Sequence, residues 1–269
     1  MRACTENGAD LTYCTVYSAV DGPIGARGAR LRTHKPADSE TALVEFAGLL
    51  SFEDAALTAG ARVERAAGRV RIDFDKPLVG VPEYELEIQA ESASVLGLPM
   101  QNARAVVRSS GEPRGVLVPV IFAESCDGVI SGTAAVHPAG DWAGQDQRTY
   151  ESLLTFSGLR LNEAIDGFAS ARSGVGKEPR PDTGARLVGE LSLGGLVGRD
   201  ETRRGRLDLR IAGGDVIDVP GAIRLLEAGN LQMPAGEGID FASVEAVFDG
   251  GQIAIEGMSL ISSSVELIG

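Results

Sequence analysis

Gly205-Arg206-Leu207-Asp208-Leu209-Arg210-Ile211 alternates apolar and charged residues without a slip. In an extended chain successive side chains point to opposite faces, so Leu207, Leu209 and Ile211 share one face and Arg206, Asp208 and Arg210 share the other. Such a stretch is a strand with one dry and one wet face. The same period of two recurs upstream. Val44, Phe46, Leu50 and Phe52 oppose Glu45 and Ser51, and Val70, Ile72 and Phe74 oppose Arg69, Arg71, Asp73 and Asp75. Leu86 and Ile88 oppose Glu85, Glu87 and Gln89, while Leu187, Leu191 and Leu193 oppose Arg186, Glu190 and Ser192. Breaks rich in Gly, Pro and charge fall between these runs. The pattern predicts a mainly β fold, a long antiparallel, curved meander, either groove-like or sandwich-like.

The irregular stretches at 21–40, 76–83, 108–115, 137–148 and 172–185 read as loops, the last a possible divide between two lobes. This gives an ill-defined segment over 1–40, a β-meander region over 41–171 with a weak internal repeat (49–70 against 153–161), and a further region over 186–269. One short amphipathic helix is expected near 219–228. Asp218 flanks its start, Pro220 falls in its first turn, Ile223, Leu225 and Leu226 cluster, and Gly229 stops it. A helix this short must lie against a sheet to persist.

The 269 residues are 43% hydrophobic and 23% charged, which is the composition of a globular chain, but only 5% aromatic with 35 glycines, so the apolar content is aliphatic. A formal net charge of -13 repels phosphate backbones, and no nucleic-acid partner is expected. Apolar runs such as Leu117 to Ala123 fall far short of the roughly 20 residues a membrane-spanning helix needs. The start, Met1-Arg2-Ala3-Cys4-Thr5-Glu6-Asn7, lacks the apolar core of a signal peptide, so the chain reads as cytoplasmic or as a piece of something longer. Cys4, Cys14 and Cys126 are too few, and odd in number, for a disulfide framework.

No set of residues points to catalysis, a metal or a cofactor. His34 and His137 are the only histidines and share no metal-ligand spacing. Gly174-Val175-Gly176-Lys177 resembles the end of a phosphate loop, but Ala171 stands at its first glycine position, Glu178 replaces the Mg²⁺-binding hydroxyl and a Pro-containing loop follows. No G-x-S-x-G elbow occurs. The pairs Asp73/Asp75 and Glu85/Glu87 stand side by side on a strand, as the carboxylates of a glycosidase might, yet they share their face with Arg69, Arg71 and Gln89 and read as a solvated charge ladder. Function is therefore expected from a surface.

From about Leu187 to Gly269 the chain resembles the C-terminal region of the AsmA-like family of bacterial envelope proteins (TamB- and YhdP-like). The likeness lies in the order of Gly205-Arg206-Leu207-Asp208-Leu209, Gly213-Gly214-Asp215-Val216-Ile217-Asp218-Val219-Pro220, the helix with Leu225-Leu226, the Phe241–Phe248 strand, Asp249-Gly250-Gly251-Gln252-Ile253-Ala254-Ile255, and Leu260-Ile261-Ser262-Ser263-Ser264-Val265-Glu266-Leu267-Ile268-Gly269. The resemblance implies a non-enzymatic protein of the periplasm or cell envelope whose apolar β-groove binds or guides lipid acyl chains in outer-membrane biogenesis. It further implies a phospholipid or other acyl-chain partner, and envelope protein partners. On this reading the lipid-facing candidates are Phe46, Phe52, Val70, Ile72, Leu86, Ile88, Phe156, Leu207, Leu209 and Ile211. A continuous dry face with few aromatics can hold acyl chains, each buried methylene contributing about 0.8 kcal/mol. The same alternation fits a packed sandwich, and with it a structural scaffold or surface-adhesion module without a ligand.

Overall fold

The computed structural model describes residues 18–21, 23–35, 42–59, 61–77, 80–112, 115–138, 147–173, 184–213, 241–261 and 266–268. They form fourteen strands and one α-helix. The strands are β1 Ser18–Asp21, β2 Ile24–His34, β3 Leu43–Ala59, β4 Ala61–Pro77, β5 Glu83–Val95, β6 Leu98–Ser109 and β7 Val116–Ser125. There follow β8 Gly128–Pro138, β9 Arg148–Arg160, helix α1 Leu161–Ser173, β10 Arg186–Leu196, β11 Arg204–Ala212, β12 Phe241–Asp249, β13 Gln252–Ile261 and β14 Glu266–Ile268.

All fourteen strands belong to one antiparallel sheet, open and curved, in which β3 to β14 pair in chain order. β1 and β2 both pair with β3, along successive parts of its length. The β-meander expected from the alternation is the observed fold. Across 172–185 the sheet does not break, because β9 and β10 pair directly. The helix expected near 219–228 lies outside the described residues, as do Gly174 to Lys177, Cys4 and Cys14.

Two elements depart from the sequence reading. β2 occupies most of the stretch read as a loop over 21–40: it is exposed along its whole length and held by backbone pairing with β3 rather than by burial. Its density of Gly and Arg, with a bulge at Gly28 (φ +62), suits an edge strand, where charge and irregularity discourage unwanted pairing. The helix α1 begins where a second limb of strand was expected. Leu161, Ala164 and Ile165 recur at helical spacing, and Glu163 lies in the first turn, where the helix dipole favours an acid.

The strands bend along one line. Paired residues Ala67, Ser92, Gln101, Glu124, Val129 and Ser157 run across β4 to β9 at a common level. Close to it, Asp54, Arg65, Asn102 and Gly158 take positive φ (48, 51, 49 and 69°), and the pairing register slips beside each of them. A bulge kinks its strand, so the aligned bulges crease the sheet. Arg65 has no local reason to prefer the left-handed region, which costs a non-glycine residue about 1–2 kcal/mol. Arg65→Gly is therefore expected to raise stability by about 0.5 kcal/mol once the greater freedom of glycine in the unfolded chain is set against that relief, read as a higher urea midpoint.

Beyond the crease, α1 covers the sheet. Leu161, with Ile165, packs against Ala185, Leu187, Ile211, Ala242 and Met258. Ala164 packs against the cluster of Leu98, Met100, Ala123, Cys126, Ile130 and Leu159. The clustered core of the described residues is thus concentrated under one short helix.

Candidate functional site

The registers decide which side chains share a face. Along β3 and β4, Phe46 pairs with Phe74, Gly48 with Ile72 and Leu50 with Val70. β5 continues the rows with Tyr84, Leu86 and Ile88, and β6 with Val107 and Ala105. Further on, Gly132 pairs with Leu154, Leu154 with Leu191, Leu191 with Leu207 and Leu207 with Ala246. Ala246 in turn pairs with Ile255. No Asp, Glu, Lys or Arg interrupts these rows on the dry face. Lys76, paired with Val44, and Arg148, paired with Pro138, stand on the same side at the strand ends, so the uncharged part is the middle of the face. With strands about 4.8 Å apart, it is roughly 50 Å wide from β2 to β13.

All ten lipid-facing candidates fall on this face. Phe46, Phe52, Val70, Ile72, Leu86 and Ile88 lie together on β3 to β5, Leu207 and Leu209 on β11, and all eight are half-buried. Phe156 and Ile211 differ: both pack into the clusters under α1, so the protein itself already covers them. Period two carries no sign of this, because where α1 docks is a tertiary fact. Towards the sheet edges the face is barely covered, with Leu31 70%, Ile253 64% and Ile255 61% exposed. The extensive strand contacts are between ladder neighbours, and no second sheet lies against the dry face among the described residues.

The wet face is a ladder of exposed charge pairs. Arg108 Nε lies 2.6 Å from Glu85 Oε2, Arg206 Nη2 2.6 Å from Glu245 Oε2, and Arg69 donates to Gln89 Oε1 at 2.9 Å. Asp73, the residue a glycosidase would need, is half-exposed and bound to Arg71 at 3.0 Å. Exposed pairs of this kind contribute about 0–1 kcal/mol and are weakened by salt. Asp73→Asn is accordingly expected to move stability by no more than about 0.5 kcal/mol, a difference that added salt erases in urea melts.

A polar cleft of about 450 Å³ opens beside the β7–β8 turn, lined by Gln101, Glu124, Cys126, Asp127, Arg160 and Glu163 among others. Cys126 and Asp127 both take positive φ, 46 and 61°, which gives the hairpin turn the twist of its strands. Arg160 donates to Glu163 and to Asp127, each at 2.7 Å, and Arg186 lies 3.6 Å from Asp127. These contacts to two carboxylates hold the Arg160 guanidinium above its ordinary value. Burial pushes the Cys126 thiol up, against a hydrogen bond from Ser125 that opposes it. A thiol so buried is a poor nucleophile. His137 stands between Glu151 (3.5 Å) and Glu112 (4.0 Å), and His34 lies 3.8 Å from Glu45, all on the surface. Among the described residues no group of three or more His, Cys, Asp or Glu could hold a metal ion, and no helix is long and apolar enough to cross a membrane.

No family model, no curated protein and no solved structure matches the chain.

Proposed function

We propose that the protein binds lipid acyl chains along its dry face and acts, without catalysis, in handling lipids at the bacterial cell envelope. The observation that carries this reading is the set of uncharged rows in the middle of the face: strand after strand brings apolar residues into register, and among the described residues no second sheet covers them. Exposed apolar patches of this extent are uncommon on soluble monomers and mark surfaces with an apolar partner. An unbranched hydrocarbon suits rows that are apolar and free of charge, aliphatic but for Phe46, Phe52, Phe74 and Tyr84. The resemblance of 187–269 to AsmA-like proteins supplies the envelope setting, the phospholipid class and the expectation of envelope protein partners.

Protein purified without detergent is expected to carry phospholipid in native mass spectrometry and, once stripped, to bind added fluorescent lipid. Protein that emerges free of lipid and binds none would end this reading and leave the scaffold or adhesion module.

A further inference from the structure

The dry face is apolar on both sides of the crease but not equally covered, and the difference is made by α1. On β3 to β5, which carry half-buried Phe46, Phe52, Ile72 and Leu86, the extensive contacts are with ladder neighbours alone, and α1 makes none there among the described residues. Over β6 to β9, beyond the crease, Ala164 seals Leu98, Met100 and Ile130 into a buried cluster. The helix is tightly seated there, since a methyl group added at Gly167 would stand 2.9 Å from the Gly97 carbonyl oxygen and 3.0 Å from Leu98 Cδ2. Its first turn is also tied down. Arg160 N–H donates to the Cys126 carbonyl at 2.7 Å, Leu161 N–H to the Ala185 carbonyl at 3.0 Å, and the Arg160 side chain bridges Glu163 and Asp127.

We infer that α1 is a fixed stop on the dry face: bound acyl chains lie over β2 to β5, and the cluster that α1 covers on β6 to β9 is closed to them. The inference rests on the acyl-chain reading above. It makes the face a holding site of bounded extent rather than an unbroken track. Along the strands, the rows from Phe46 to Phe52 span six residues, about 20 Å at 3.3 Å per residue, which is the reach of one long extended acyl chain. The absence of charge on those rows complements hydrocarbon, and a carboxylate placed among them would have to be desolvated by the bound chain.

The test is photolabelling of the full chain with a diazirine-bearing palmitic acid, the labelled peptides being mapped by mass spectrometry. Cys126 serves as a second readout: in a Cys4→Ser/Cys14→Ser variant it is the only cysteine, and it is buried under α1. Expected are saturable label on peptides containing Phe46, Ile72 and Leu86, none on those containing Leu98 or Ile130, and a Cys126 thiol equally unreactive with and without fatty acid. Ile72→Glu is expected to lose the saturable label while circular dichroism stays unchanged. Label at Leu98 or Ile130, or a Cys126 thiol exposed by fatty acid, would overturn the stop and leave the acyl-chain reading standing. No saturable label anywhere would overturn both.

Discussion

Gly132→Val is expected to destabilise the sheet by about 3 kcal/mol, the top of the usual range for overpacking a filled site. Gly132 faces the dry side of β8, and a Cβ there would lie 2.1 Å from the Leu153 carbonyl oxygen and 2.8 Å from Leu154 Cδ2. A leucine can change rotamer but a ladder carbonyl cannot move without breaking the pairing of β8 with β9. Adding Leu154→Ala to the variant is therefore expected to recover little, and urea melts of the single and double variants separate the two contributions. The arrangement recurs where Gly189 meets the Asp208 carbonyl and Leu209, and where Gly205 meets the Ser192 carbonyl and Leu193. In each, a leucine from the next strand lies over a glycine, so the sheet fills its own surface without a second layer.

Leu161→Ala is expected to cost about 2–4 kcal/mol, because Leu161 is 4% exposed and its loss leaves a cavity between α1 and the sheet. The same substitution should speed modification of the Cys126 thiol, which is buried in the neighbouring cluster under α1. By contrast Ile253→Ala, on the little-covered part of the same face, is expected to change stability by about 0.5 kcal/mol or less. Equal costs at the two sites would mean that the face around Ile253 is packed against something in solution.

The meander was legible because strands such as β4, β5 and β11 have one apolar and one charged face, a pattern that survives without long-range information. β2 was not legible: its backbone is recruited by β3 while its side chains stay in water, so Arg27, Arg30 and Arg32 leave no burial signal. α1 was hidden because Leu159 and Leu161 keep a period of two, as a second limb of strand past Gly158 would, and Gly167 counts against a helix. The crease was hidden for a different reason. Arg65 carries no mark of a positive φ, which is imposed there by the pairing of β4 with both neighbours. For the candidate site, period two sufficed to place Phe46, Val70, Leu86 and Leu207 on one face. It could not separate them from Phe156 and Ile211, which differ only in lying where α1 docks.

The most direct test of an open acyl-chain surface is the affinity of the stripped protein for straight-chain fatty acids of increasing length, measured by displacement of a fluorescent fatty acid. If chains lie along the dry face, affinity should rise with each methylene, by at most about fourfold per group, and level off once the chain exceeds the roughly 20 Å of the Phe46 to Phe52 rows. Affinity that is absent, or that does not depend on chain length, would contradict the account.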